Sequence, residues 1–133
     1  MNYKIYIIGD KIDKFCSEAI KEYEKRLSLY CKIQLIQVKT VELLQKILSD
    51  KTHKILISTS GELISSEALS IKINSLAVSG KSDVSVIIGA ENIPHDEKMA
   101  ISPMEIDLGL LATIVFEQIY RGYRILNNQA YHK

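Results

Sequence analysis

Val84-Ser-Val-Ile-Ile88, followed at once by Gly89-Ala90, is a short apolar run that stops at a turn residue. A run of this length fits a strand and is too short for a typical helix. Apolar on both faces, it fits the interior of a parallel sheet covered on both sides. Two more runs share the pattern: Lys4-Ile-Tyr-Ile-Ile8 before Gly9-Asp10, and Lys54-Ile-Leu-Ile-Ser58 before Thr59-Ser-Gly-Glu62. Ile33-Gln-Leu-Ile-Gln-Val38 reads as a further strand, more polar and so less buried.

Between the strands the spacing turns helical. Asp13 is placed to cap a helix over residues 14–29, with Phe15, Ala19, Tyr23 and Leu27 four apart on its apolar side. Thr40 precedes a helix with Val41, Leu44 and Leu48 inward, and Ser65 or Ser66 precedes one with Leu69, Ile73 and Leu76 inward. Residues 59–62 read as a loop. The pattern loosens over residues 91–106, which hold Pro94 and Pro103 and predict one short helix near Glu97. Residues 113–126 read as an amphipathic last helix, with Ile114, Val115, Ile119, Ile125 and Leu126 apolar and Glu117–Arg121 as an i,i+4 pair. The chain closes on Tyr131-His132-Lys133. Strands alternating with helices imply one α/β domain with a mainly parallel sheet and helices on both faces.

The composition of the 133 residues, 47% apolar and 25% charged, is that of a globular domain with its own core. No apolar run has the length of a membrane span, and Met1-Asn2-Tyr3-Lys4 leads straight into a strand rather than a signal peptide. The expected location is the cytoplasm, with Cys16 and Cys31 as free thiols. A net charge of +1 neither supports nor forbids a nucleic-acid partner.

In an open parallel sheet, ligands bind beyond the carboxyl ends of the strands. Residues 58–62, 89–93 and 101–107 are the candidate loops there. None carries a GxGxxG or GxxxxGK[ST] pattern, and His53, His95 and His132 are scattered without metal-ligand spacing. No metal is expected. Unaided chemistry stops at an α/β domain with loops that could take a ligand.

Four segments together carry a resemblance. Glu18-Ala-Ile-Lys-Glu-Tyr-Glu-Lys-Arg-Leu27 is similar to an "AxxEYxKR" helix, and Gly61 with Ser65-Ser66-Glu67 and Leu69 to "GxxxSSExLA". Ser82-Asp-Val-Ser-Val-Ile-Ile-Gly89 is similar to "SDVxFVIGG", and Glu117-Gln-Ile-Tyr-Arg-Gly-Tyr-Arg-Ile125 to "EQxYRAxxI", before the terminal Tyr-His-Lys. Over essentially its whole length the chain resembles the RlmH family of the SPOUT superfamily. The resemblance implies a C-terminal trefoil knot, a homodimer, S-adenosylmethionine as donor, and methylation of N3 of a pseudouridine in large-subunit (23S) ribosomal RNA. It maps the donor pocket to Ile57, Gly89, Ile101, Ser102, Pro103, Met104, Glu105 and Ile106. It places Arg121, Tyr131 and His132 on the RNA side, with the tail reaching the partner's pocket.

The window 101–112 departs from the family's "LSxMTFPHQxxR". Asp107, Leu108, Gly109 and Ala112 replace its Pro-His-Gln and Arg, while Ala90 and Ile93 replace loop glycines. Two readings follow. Either a remodelled pocket still binds the donor, or the chain is a divergent, non-catalytic ribosome- or RNA-binding member. The intact tail favours the first. A nucleotide-binding α/β regulator would need a phosphate site at Gly89-Ala90, where no phosphate signature stands.

Overall fold

The computed structural model describes residues 1–132; Lys133, the cation expected at the end of the tail, lies outside the described residues. The chain runs β1 (Asn2–Ile8), α1 (Lys14–Leu27), β2 (Lys32–Val38), α2 (Val41–Ile47), β3 (His53–Leu63), α3 (Ser66–Val78), β4 (Asp83–Ile88), β5 (Glu97–Ala100) and α4 (Leu108–Leu126). The five strands form one sheet in the order β2-β1-β4-β3-β5. Every pairing is parallel.

Alternation along the strands sorts the core into two layers. Tyr3, Ile5, Ile7, Val84, Val86 and Ile88 face α1, α3 and α4, meeting Ile20, Leu27, Ile73, Val115, Phe116 and Ile119. Tyr6, Ile8, Leu56 and Ile87 face the other way, toward Leu44 of α2 and toward Ala90 and Ile93. Helices therefore cover both faces, as the apolar runs require, with three of them on one side. Thr40 and Ser65 are the caps of α2 and α3, accepting from the amides of Leu43 and Ala68.

Four local expectations are corrected. Residues 59–62 are not a loop, because β3 continues to Leu63. After an irregularity between Ile57 and Glu62, Glu62 and Leu63 pair with Met99 and Ala100. Gly61 makes this possible, since a Cβ there would lie 2.6 Å from the Met99 carbonyl carbon. The segment around Glu97 is the strand β5 rather than a short helix; it buries Met99 and Ala100 against the rest of the fold. In α1 the buried positions are Cys16, Ile20 and Leu27, while Phe15 is 60% exposed. Finally α4 starts at Leu108, ahead of the expected Thr113, and Asp107 caps it through the Leu110 amide at 3.2 Å.

Candidate active site

The middle of β3, the turn after β4, the loop after β5 and the start of α4 enclose a cavity of about 110 Å³. Its wall includes Ile57, Gly89, Ile101, Ser102, Met104, Glu105 and Ile106, so all but one of the expected donor residues converge. Pro103 is exposed and does not line it. Gly89 is where the wall needs a bare backbone. Its φ is +96°, a region glycine alone adopts freely, and a Cβ would meet the Ile8 carbonyl oxygen at 2.8 Å. Leu108 closes the same corner, its Cδ1 lying 3.2 Å from that Cβ position.

Two further wall residues, Ser58 and Glu91, fall in the candidate loops 58–62 and 89–93 but are not singled out by the sequence. Ser58 donates to Glu91 Oε2 at 2.8 Å and accepts from the Ser60 amide at 3.2 Å. This brings a carboxylate beside Glu105 on the cavity wall. Glu91 stands two residues after Gly89, so the strand end was the only available signal. The Ser102 hydroxyl accepts from the Met104 amide at 3.0 Å and folds the loop over the cavity.

The departures from the family pattern do not all fall in this wall. Ala90 and Ile93 are buried on the α2 side of the sheet, and Ala112 is fully buried on the core-facing side of α4. Asp107 is the helix cap. Gly109 packs against Cys16 and Ile12, so of the six Leu108 alone touches the cavity.

At the other end of α4, Arg121, Tyr131 and His132 come together. The Arg121 guanidinium lies 4.7 Å from the Tyr131 ring centroid, and its Nη1 is 3.1 Å from His132 Nδ1. Glu117 Oε2 accepts from Arg121 Nε at 3.1 Å and from the Tyr131 hydroxyl at 2.9 Å. Burial, then hydrogen bonding with Tyr23 and Glu117, pushes the Tyr131 phenol well above its ordinary range. The tail is laid back along the helix, with Arg124 Nη2 donating to the Ala130 carbonyl at 2.7 Å. One contact was not foreseen. His132 Nε2 lies 2.6 Å from Glu67 Oε1 at the start of α3, and the His132 hydrogen bond holds the Glu67 carboxyl below its usual range.

The two clusters occupy opposite ends of one helix. Leu108 and Arg121 are both in α4, about 20 Å apart at the ~1.5 Å rise per residue. Within one chain the cavity and the Arg121–Tyr131–His132 cluster are thus separate. Among the described residues, no helix is long and apolar enough to cross a membrane.

Comparison with known proteins identifies the family of the chain. A family described as "Predicted SPOUT methyltransferase" matches residues 1–132. The chain is 53% identical over 133 residues, the full length of both proteins, to "Ribosomal RNA large subunit methyltransferase H 1" of Thermoanaerobacter sp. (strain X514). It is 36% identical to "Putative ribosomal RNA large subunit methyltransferase H" of Methanococcus maripaludis, in an alignment of 159 positions that covers all of both chains. At 33% over 159 positions, again covering both chains, it aligns with "Ribosomal RNA large subunit methyltransferase H" of Alkaliphilus oremlandii. The chain belongs to the SPOUT methyltransferase family, within the group of ribosomal RNA large subunit methyltransferases H.

Proposed function

We propose that this protein methylates large-subunit ribosomal RNA with S-adenosylmethionine, at N3 of a pseudouridine, as a cytoplasmic homodimer whose chain is threaded as a trefoil knot near its C-terminus. The convergence of the donor-side residues on one cavity carries the reading, beside full-length identity of 53% to a protein of that name.

The cavity residues fit the donor. Ile57, Ile101, Leu108 and Leu111 offer apolar surface for a flat purine, and Glu91 and Glu105 are carboxylates suited to a cationic sulfonium. Bound there, S-adenosylmethionine would supply an electrophilic methyl group. The cavity is much smaller than the roughly 300–1,000 Å³ pockets that hold cofactor-sized ligands. A second copy of the chain would complete it, bringing its Arg121–Tyr131–His132 cluster to the mouth. This explains why the two clusters stand apart in one chain.

The residues then divide the work. Transfer to a ring nitrogen is largely a positioning task, because donor carbon and acceptor must be held in line. The acceptor N3 must lose its proton, and an imidazole titrates near neutrality, so His132 takes it. Arg121, always charged, faces the negative charge that develops on the ring carbonyls. Tyr131 offers a face for the base.

The test is label transfer from methyl-tritiated donor to ribosomes that lack the modification. We expect label in the large-subunit RNA at a pseudouridine. His132→Ala and Arg121→Ala should each lose at least about 100-fold in single-turnover rate, the scale of a lost acid–base or charge-stabilising group. No label with the intact protein, together with no heat on titrating S-adenosylmethionine, would overturn the proposal in favour of the non-catalytic RNA binder.

A further inference from the structure

Resting on that reading of the tail, we propose that Glu67 is a positioning residue for His132, fixing the imidazole in its Nε2–H tautomer with Nδ1 as the proton-accepting nitrogen. The argument starts from what each neighbour can do. A guanidinium only donates, so the 3.1 Å contact of Arg121 Nη1 with Nδ1 requires Nδ1 to present its lone pair. A carboxylate only accepts, so the 2.6 Å contact with Glu67 Oε1 requires Nε2 to carry the hydrogen. One tautomer satisfies both. The imidazolium does not, because its Nδ1–H would point at the Arg121 donors.

Two consequences follow. First, Arg121 covers the basic nitrogen until its guanidinium is drawn to another acceptor. A ring carbonyl of the target base is such an acceptor, so base entry and uncovering of Nδ1 are one event. The N3–H bond then breaks, its proton goes to Nδ1, and the electron pair stays on N3 for the methyl group. Second, the resulting imidazolium keeps its Nε2–H on Glu67, whose negative charge stabilises it where water would otherwise do so. This is the division of roles found wherever a carboxylate orients a catalytic imidazole.

Among the described residues, His132 is the largest influence on the Glu67 carboxylate, ahead of its own backbone amide and the Ser65 hydroxyl. Glu67 stands in the first turn of α3, directly behind the Ser65 cap. Among the described residues, the charged and titratable groups around the tail are Glu67 from α3, Glu117, Tyr120, Arg121 and Arg124 from α4, Tyr23 from α1, Tyr30 between α1 and β2, and Tyr131 beside His132. Glu117 is occupied by Arg121 and Tyr131, which leaves Glu67 as the carboxylate on the imidazole.

The experiment compares wild type with Glu67→Gln, Glu67→Ala and His132→Ala. In the free wild-type protein, nitrogen NMR of ring-labelled histidine should give His132 a protonated Nε2 and a bare Nδ1. In Glu67→Ala that signal should become a tautomer mixture. Single-turnover methylation of ribosomes should fall about 10- to 100-fold and its pH profile should change shape, while ribosome affinity holds. Glu67→Gln, which keeps an acceptor but not the charge, should recover the tautomer and only part of the rate. A protonated Nδ1 in wild type, or a Glu67→Ala profile superimposable on wild type, would overturn the inference. An active His132→Ala would instead overturn the functional reading it rests on.

Discussion

The hydroxyls of Tyr3 and Tyr123 lie 2.9 Å apart, joining the first strand to the last helix across 120 residues of sequence. Their rings meet edge to face with centroids 6.4 Å apart, so the C-terminal half of α4, and Arg121 with it, is pinned to the sheet. Burial is the first cause that raises both phenols, Tyr123 to about 12. An unfolded phenol titrates near its ordinary 10.0. The folded state therefore holds its protons longer, so the contribution of this phenol to stability is constant below pH 10 and declines as pH rises toward about 12. Tyr123→Phe should flatten that decline in urea unfolding. It should also cost about 1–3 kcal/mol at neutral pH, because the Tyr3 hydroxyl is left buried without its partner.

Gly89 and Gly80 make a matched pair for the donor side. Both have positive φ, +96° and +79°, but a Cβ on Gly80 meets nothing within 4 Å, whereas one on Gly89 strikes the Ile8 carbonyl at 2.8 Å. Gly80→Ala should cost about 1 kcal/mol from backbone strain alone and leave donor affinity untouched. Gly89→Ala should cost roughly 2–4 kcal/mol and abolish binding of S-adenosylhomocysteine in calorimetry, since the cavity wall must shift.

At Gly61 the close neighbour is the backbone of Met99, within 2.6–2.8 Å of a Cβ. Gly61→Ala should break the pairing of Glu62 and Leu63 with β5. Amide exchange at Met99 and Ala100 should speed up by at least about tenfold, the ratio that ~1.4 kcal/mol of local destabilisation gives, while β1 amides stay protected.

What was legible in the sequence follows from where each signal resides. The β1 and β4 runs were readable because strands buried on both faces are apolar at most positions, with Lys4 and Ser85 the exceptions inside the runs, and that is a local property. Glu97-Lys98-Met99-Ala100 has no such run; it is a strand because β3 offers it a parallel edge, a long-range fact. Phe15 misled for a related reason. Two stripes one residue apart both have helical spacing, and the choice of Cys16 and Ile20 is made by α4, whose Gly109 would place a Cβ 3.2 Å from Cys16 Sγ. In the site, the donor-side residues came from family resemblance and converged. Ala90 and Ile93 look like pocket neighbours along the chain, but the sheet places them on its opposite face. Glu67 is 65 residues from His132, so no spacing rule could join them.

Glu97 sets the response of the fold to acid. It accepts from Lys72 Nζ and, at 2.5 Å, lies against His53 Nε2, tying β5 to α3 and to the start of β3. Burial pushes its carboxyl up, but the hydrogen bonds from Lys72 and His53 outweigh it and hold the group below its ordinary 4.5. A depressed carboxylate stabilises the fold above its unfolded value, and that contribution disappears as pH falls through the lower folded value. Wild type should therefore lose stability steeply once pH drops below 4.5. Glu97→Gln should start less stable at neutral pH, with Lys72 and His53 deprived of their anion, yet lose less on acidification. Thermal unfolding midpoints followed from neutral pH down through that range provide the check, and parallel curves for the two proteins would refute it.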